Sequence, residues 1–199
     1  MTISREKRSK PDANSIKTDR LLLRDLHDAD WVSVHEYSSD PKVCEFMDWG
    51  PNSARETKEF IKRAMRAAKD KPRFAYDFAI TWQDADRVIG AVSLVLVGFP
   101  PNQAMIGYVL GRQHWGQGIM SEAVGAVIGF GFETLKLHRI SASCDPKNMA
   151  SFRVMEKCGM RREGYFVEDK YIKGRWRDTL AYSILAREWN DRQSGRQAK

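Results

Sequence analysis

Gln113-His-Trp-Gly-Gln-Gly118 stands between an apolar stretch, Ala104 to Leu110, and a long run of helical spacing that starts at Ile119. Glycines between a strand and a helix let the backbone approach a ligand closely. The first turn of a helix leaves its N–H groups without intrahelical partners and carries partial positive charge. Together these features make a cradle for a phosphate or diphosphate. The plain alternative is that Gly116 and Gly118 only shape a tight turn. Two other nucleotide-binding patterns fail here. Gly116-Gln-Gly118-Ile-Met-Ser121 nearly spells the dinucleotide fingerprint, but Ser121 replaces its third glycine and four strands precede it. No Gly-Lys-Ser/Thr follows, which excludes a Walker loop.

Metal and disulfide chemistry find no support. Cys44, Cys144 and Cys158 are odd in number, widely spaced and lack a Cys-x-x-Cys pair. His27, His35, His114 and His138 show no ligand spacing, so no metal site is expected.

The elements around the cradle follow from periodicity. Leu21 to Asp25 reads as a strand and residues 29–38 as a helix that ends before Pro41. Ser53-Ala-Arg-Glu56 is a capping box for a helix whose apolar stripe is Phe60, Ile61, Ala64, Met65 and Ala68. Phe74 to Thr81 alternates large apolar residues, the period of a half-buried strand. Val88 to Val97 is apolar throughout, as in a strand covered on both faces, with residues 83–87 as the turn before it. After the helix from Ile119, whose Gly125, Gly129 and Gly131 require compensating close packing, come a strand at Ile140 to Cys144 and a helix at Met149 to Lys157 closed by Gly159. A hairpin, Gly164 to Ile172 and Thr179 to Leu185, ends the pattern. The order β-α-α-β-β-β-α-β-α-β-β gives an α/β class with a mixed sheet.

With 199 residues, 42% hydrophobic and 30% charged, the chain suits one globular domain, placed at 18–190 between a basic, disordered arm (1–17) and a flexible tail (191–199). The longest apolar run, Val88 to Phe99, is 12 residues, too short to span a bilayer. The opening Met-Thr-Ile-Ser-Arg-Glu-Lys-Arg leads into no hydrophobic segment, so no secretory signal and a cytoplasmic location are expected. The net charge of +7 suggests nucleic acid at first sight. Residues 1–20 carry +3 of it and residues 187–199 another +2, so the body is nearly balanced and nucleic acid is not the expected partner.

The ordered motifs resemble the GNAT superfamily of N-acetyltransferases. Gln113 to Gly118 matches its acetyl-coenzyme A signature. Asp19-Arg-Leu-Leu-Leu-Arg24, Trp115 to Ala123, Asn148-Met-Ala-Ser151, Glu156-Lys-Cys-Gly-Met160 and Arg162-Glu-Gly164 resemble the branch that acetylates N-terminal alanines of ribosomal proteins. The resemblance implies a single-domain, mostly antiparallel central sheet with a V-shaped splay between its two central strands and helices on both faces. It also implies acetyl-coenzyme A as the cofactor. Amides of Gln113, His114, Trp115, Gly116, Gln117, Gly118 and Ile119 would hold its pyrophosphate. Tyr108, Val109 and Leu110 would offer main chain to the pantetheine arm, and an amide there would polarise the thioester carbonyl. Asn148 would face the pantetheine and Ser151 the sulfur, as proton donor to the departing thiolate; both residues also suit a helix start, which is the plain reading.

One position departs from that branch. Where it carries a glutamate as base, this chain has Lys170. Glu168 shares the strand parity of Lys170 and is the replacement candidate, against the plainer reading of a surface carboxylate. Acceptor recognition by such proteins implicates Cys44 to Gly50 and Tyr171 to Asp178, with Phe46, Trp49 and Trp176 as a candidate pocket, lid packing or a homodimer contact. The expected function is direct acetyl transfer to a primary amine, either a peptide or protein N-terminus or a small amine. The competing expectation is an idle scaffold that docks on ribosome or nucleic acid through its basic ends.

Overall fold

Strand alternation sets the layers of the molecule. The computed structural model describes residues 14–98 and 102–197. In β3 (Ala75–Trp82), Phe78 and Ile80 join one buried cluster while Ala79 joins another, because successive strand residues point to opposite faces. Val88 and Ile89 divide the same way in β4 (Ala85–Val97). One face is covered by α1 (Trp31–Ser38) and α2 (Ala54–Ala67), whose Val34, Tyr37, Ile61 and Ala64 pack on Ala79 and Val88. The other is covered by α3 (Ile119–Glu133), whose Ile119, Ala123, Val124, Val127 and Ile128 are buried.

The remaining strands are β1 (Ile16–Lys17), β2 (Leu21–Asp25), β5 (Gln103–Leu110), β6 (Arg139–Cys144), β7 (Arg161–Ile172) and β8 (Arg175–Leu185). With α4 (Met149–Lys157) and α5 (Ala186–Gln197) they complete an eight-stranded sheet in the order β1-β2-β3-β4-β5-β6-β8-β7. All neighbours are antiparallel except β5 and β6. The expected mixed, mostly antiparallel sheet with helices on both faces is therefore present.

Local signals held where they were strong. Ser53 Oγ accepts from the Glu56 amide at 3.3 Å and Glu56 Oε2 accepts from the Ser53 amide at 2.7 Å. A Cβ on Gly131 would come within 2.8 Å of Ile140, so that helical glycine does answer to close packing, whereas Gly125 faces open space.

Several boundaries moved. The turn before β4 is only Gln83 and Asp84, and β4 is open on one face beyond its middle, with Val95 41% exposed. Ile16–Lys17 pairs with β2, inside the segment read as an arm; residues 1–13 lie outside the described residues. At the other end α5 runs to Gln197, through most of the segment read as a tail. Its Trp189 packs on Phe132 and donates to Glu133 at 3.2 Å, which gives the helix a partner.

Candidate active site: a glycine cradle beside a forked sheet

β5 and β6 pair only at Gln103–Arg139, Ala104–Ile140 and Met105–Ser141. Beyond Met105, β5 stays paired with β4 as far as Leu110, while β6 stays paired with β8 as far as Cys144. The sheet forks there, and one main-chain edge of Ile106 to Leu110 is left without a strand. A cleft of about 1310 Å³ opens from the fork, lined by β5, by residues 114–121 and by 143–151.

Residues 112–114 form a single 3-10 turn, and the chain then passes through Gly116 and Gly118, at φ +75° and +74°. A side chain in this left-handed region costs about 1–2 kcal/mol, so glycine is the residue these positions call for. Gly118 is the N-cap of α3 and offers no side chain to cap it. The first-turn amides therefore face the cleft as donors. A Cβ on Gly116 would meet nothing within 4 Å, which leaves room for a ligand against the backbone.

Three contacts hold this loop in place. Trp115 Nε1 donates to Leu110 O at 2.8 Å, tying the loop to the end of β5. Arg20 donates to Gln117 O at 3.1 Å and pairs with Glu122 at 2.7 Å, so one carbonyl of the loop points away from the cleft. Burial pushes the Glu122 carboxyl up, and hydrogen bonds from Thr18 and Arg20 outweigh it, leaving the group below its ordinary range. Burial and the Arg87 charge lower the His114 pKa, so the imidazole is mainly neutral at pH 7 and the cradle's donors are chiefly backbone amides.

Across the fork, Asn148 caps α4, its Oδ1 accepting from the Ser151 amide at 3.2 Å, and both residues line the cleft. Ser151 Oγ lies 3.0 Å from the Tyr108 hydroxyl, which also lies 2.9 Å from Ser151 O, an acceptor that must receive the phenolic proton. Burial raises the Tyr108 phenol well above its ordinary value, with the Ser151 hydroxyl pulling it partly back, so it is a neutral donor at pH 7. Beside them burial pushes the Cys144 thiol up to about 11, against the pull of the Ser151 hydroxyl.

The profile of the acetyltransferase (GNAT) domain matches residues 20–161. The chain belongs to the GNAT acetyltransferase family. It is 37% identical over 175 residues to YnaD, an uncharacterised N-acetyltransferase of Bacillus subtilis strain 168, covering 88% of this chain and 99% of that one. A solved GNAT acetyltransferase from Bacillus anthracis is 34% identical, with a TM-score of 0.79 over 87% of this chain and 99% of that one. The ribosomal protein uS5-alanine N-acetyltransferase of Escherichia coli K12 is 27% identical over 181 residues, 87% of this chain and 92% of that one. Two solved chains of the same fold, each 23% identical, are complexes with coenzyme A.

Within this acetyltransferase the expected site residues separate. Tyr108, Val109, Leu110, His114, Trp115, Gly116, Gln117, Gly118, Ile119, Asn148, Ser151 and Phe46 all line the cleft. Gln113 does not; its carbonyl instead accepts from the Gln117 side chain at 3.1 Å. Trp49 and Trp176 also lie off the cleft wall, and Trp176 packs edge-on against Tyr171, which does line it. Glu168 is absent from the wall as well. The register of β7 on β8 shifts between Phe166 and Lys170, and Glu168 sits at φ +48° inside that irregularity. Parity counted from Lys170 therefore fails, and the Glu168 amide serves instead as a donor to Asp178 at 2.9 Å.

The two acceptor segments become one wall. Lys173 Nζ donates to Cys44 O at 2.7 Å, and both terminal nitrogens of Arg177 donate to Glu45 O, at 3.2 and 3.1 Å. Consecutive carbonyls of the 41–49 turns are thus pinned to the β7–β8 hairpin, with Phe46 and Met47 on the cleft side. The side-chain roles of Tyr108, Lys173 and Arg177 had no signal in the sequence. Their partners lie 43, 129 and 132 residues away.

Among the described residues no helix is long and apolar enough to cross a membrane, and no cluster of His, Cys, Asp and Glu that would hold a metal is present.

Proposed function

We propose that this chain uses acetyl-coenzyme A to acetylate a primary amine directly, in a ternary complex, the amine being a peptide or protein N-terminus or a small molecule. The observation that carries the reading is the uncapped glycine turn at the mouth of a forked sheet with Ser151 on the opposite side. The residues fit the cofactor: amides of residues 116–119 face the position of a diphosphate, and the bare edge of β5 suits an amide-bearing arm. Once bound, the cofactor supplies an acetyl thioester as electrophile and a thiolate as leaving group.

The remaining work falls to the protein. A main-chain N–H on the free edge of β5 donates to the carbonyl oxygen as negative charge builds there. An α-amino group of pKa roughly 7.7–8.0 is already partly neutral at pH 7, so its proton can leave through cleft water without a dedicated carboxylate. Ser151 Oγ–H delivers a proton to the sulfur while cleft water carries the proton lost by the amine back to Ser151 Oγ. Before that step the Tyr108 oxygen, its own proton engaged by Ser151 O, accepts from Ser151 Oγ–H and positions it. The three free cysteines support a reducing, cytoplasmic setting. One observation favours the second reading, an idle scaffold: Lys170 occupies the position where the resembling branch carries its base.

Two measurements test the proposal. Acetyl-coenzyme A at 100 times its Kd should stabilise the fold by about 2.7 kcal/mol, and the absence of any shift in thermal unfolding would remove the cofactor assignment. Gly118→Val, which forces a β-branched residue to positive φ, should cost about 1–2 kcal/mol of stability and weaken acetyl-coenzyme A binding in calorimetry. Unchanged affinity in that variant would move the diphosphate site elsewhere.

A further inference from the structure

Arg153 and Lys157 stand four residues apart on α4, a spacing that puts both on one face of the helix, and both line the cleft. Both are exposed, and neither has a carboxylate at ion-pair distance among the described residues. Glu156, their neighbour in sequence, is engaged elsewhere: its Oε1 accepts from the Tyr182 hydroxyl at 3.1 Å, and it does not line the cleft. The last turn of a helix favours a cation, which accounts for Lys157 but not for Arg153 one turn earlier.

Packing brings this pair to the glycine cradle. Cys158 Sγ donates to Ser121 O at 3.4 Å, so the end of α4 meets the first turn of α3. Ser121 and Lys157 line the cleft together and also share a second hollow of about 240 Å³. Ser151, at the opposite end of α4, stands where the sulfur is proposed to react. The cleft face of α4 therefore runs from the reacting end at Ser151 to two cations at the diphosphate end, about 9 Å further along the helix at Lys157.

The acids of the cleft wall have other attachments. Asp145 pairs with Arg177 at 3.7 Å, and Asp178 accepts from the Tyr165 hydroxyl and the Glu168 amide. Glu45 lies 3.9 Å from Lys42, and Asp48 belongs to the same 41–49 turns, which Lys173 and Arg177 hold against the β7–β8 hairpin. Glu122, on the first turn of α3, is taken by Thr18 and Arg20.

Coenzyme A carries a second anion besides its diphosphate, a phosphomonoester on the same ribose. Such a group bears about 1.5–2 negative charges at pH 7 and three acceptor oxygens. The first-turn amides of α3 are matched to the diphosphate, and cations one ribose away are matched to the monoester. We propose that Arg153 and Lys157 hold the ribose phosphate of coenzyme A, Arg153 with its fork of donors and Lys157 as a point charge. This rests on the acetyl-coenzyme A reading and deepens it: the chain selects the fully phosphorylated carrier over its dephospho form.

Calorimetry on the full chain would compare coenzyme A with dephospho-coenzyme A, which lacks only the ribose phosphate. Coenzyme A should bind about tenfold or more tightly, the scale of a lost charge-assisted contact. Arg153→Gln combined with Lys157→Gln should reduce that preference to within about twofold by weakening coenzyme A, while the Kd for dephospho-coenzyme A holds within about threefold. Thermal unfolding of the unliganded variant checks its fold, which two exposed side chains should leave intact. Equal affinity of the parent chain for the two forms would overturn the proposal, and that arm needs no variant. So would an equal loss of affinity for both forms in the double variant, which would assign the two cations to the diphosphate. Binding neither form defeats the acetyl-coenzyme A reading itself, whereas binding both alike defeats only this one.

Discussion

Ser151→Ala should lower kcat for amine acetylation by about 100-fold or more, the scale of a lost proton donor, while KM for acetyl-coenzyme A stays within about twofold. The reason is positional. Ser151 Oγ sits on the first turn of α4 across the fork from β5, and its contact with the Tyr108 hydroxyl at 3.0 Å fixes its rotamer. The cradle proposed for the cofactor lies on other residues, so affinity should survive. Tyr108→Phe should lower kcat less, and Tyr108→Phe with Ser151→Ala should be no slower than Ser151→Ala alone, because one hydroxyl acts through the other. Steady-state kinetics on all three variants read this directly. An unaltered kcat in Ser151→Ala would leave thiolate protonation to water and take Ser151 out of the mechanism.

Arg24→Ala should destabilise the fold by about 3–5 kcal/mol, the scale of breaking a buried ion pair on one side. Arg24 is 1% exposed and grips Asp30 with two bonds, at 2.8 and 2.9 Å, while its Nε reaches Asp86 at 3.0 Å. Burial disfavours the charge, yet the hydrogen bonds and attraction of Asp30 and Asp86 outweigh it and raise the Arg24 pKa. Alanine would strand the Asp30 carboxylate, itself 7% exposed, with the His27 amide at 2.7 Å as its remaining bond on that oxygen. For a chain of this size the melting temperature should fall by roughly 10 °C. Arg24→Met combined with Asp30→Leu should recover much of the loss, since an apolar pair of similar volume avoids burying a lone charge. Urea unfolding that showed under about 1 kcal/mol for Arg24→Ala would mean the carboxylate hydrates or neutralises at little cost.

How much was legible in the sequence depended on how local each signal was. The capping box at Ser53, the closing Gly159 at φ +88°, the alternation of Phe78 and Ile80 against Ala79, and the glycine cradle are written in neighbours one to four residues apart. Such signals survive whatever the rest of the chain does, because caps, turns and periods are fixed by backbone geometry. Glu168 shows the limit. Counting parity along β7 presumes an unbroken ladder, and the ladder breaks between Phe166 and Lys170, where Asp178 of the neighbouring strand captures the Glu168 amide. Trp49 and Trp176 have types that fit a pocket, a lid or a dimer contact, and they lie off the cleft wall; Phe46, named with them, lines it beside Met47, on the turns whose Cys44 O and Glu45 O are held by Lys173 and Arg177.

The sequence by itself determined the elements from β2 to β8, their order and the glycine turn before α3, but neither β1 nor α5. Tertiary structure alone decided where β5 and β6 part, that Tyr108 meets Ser151 across the gap, and that Lys173 and Arg177 hold the 41–49 turns against the β7–β8 hairpin. Strand pairing and side-chain contacts between residues 40 to 130 positions apart depend on packing of the whole core, and no short window of sequence records that packing.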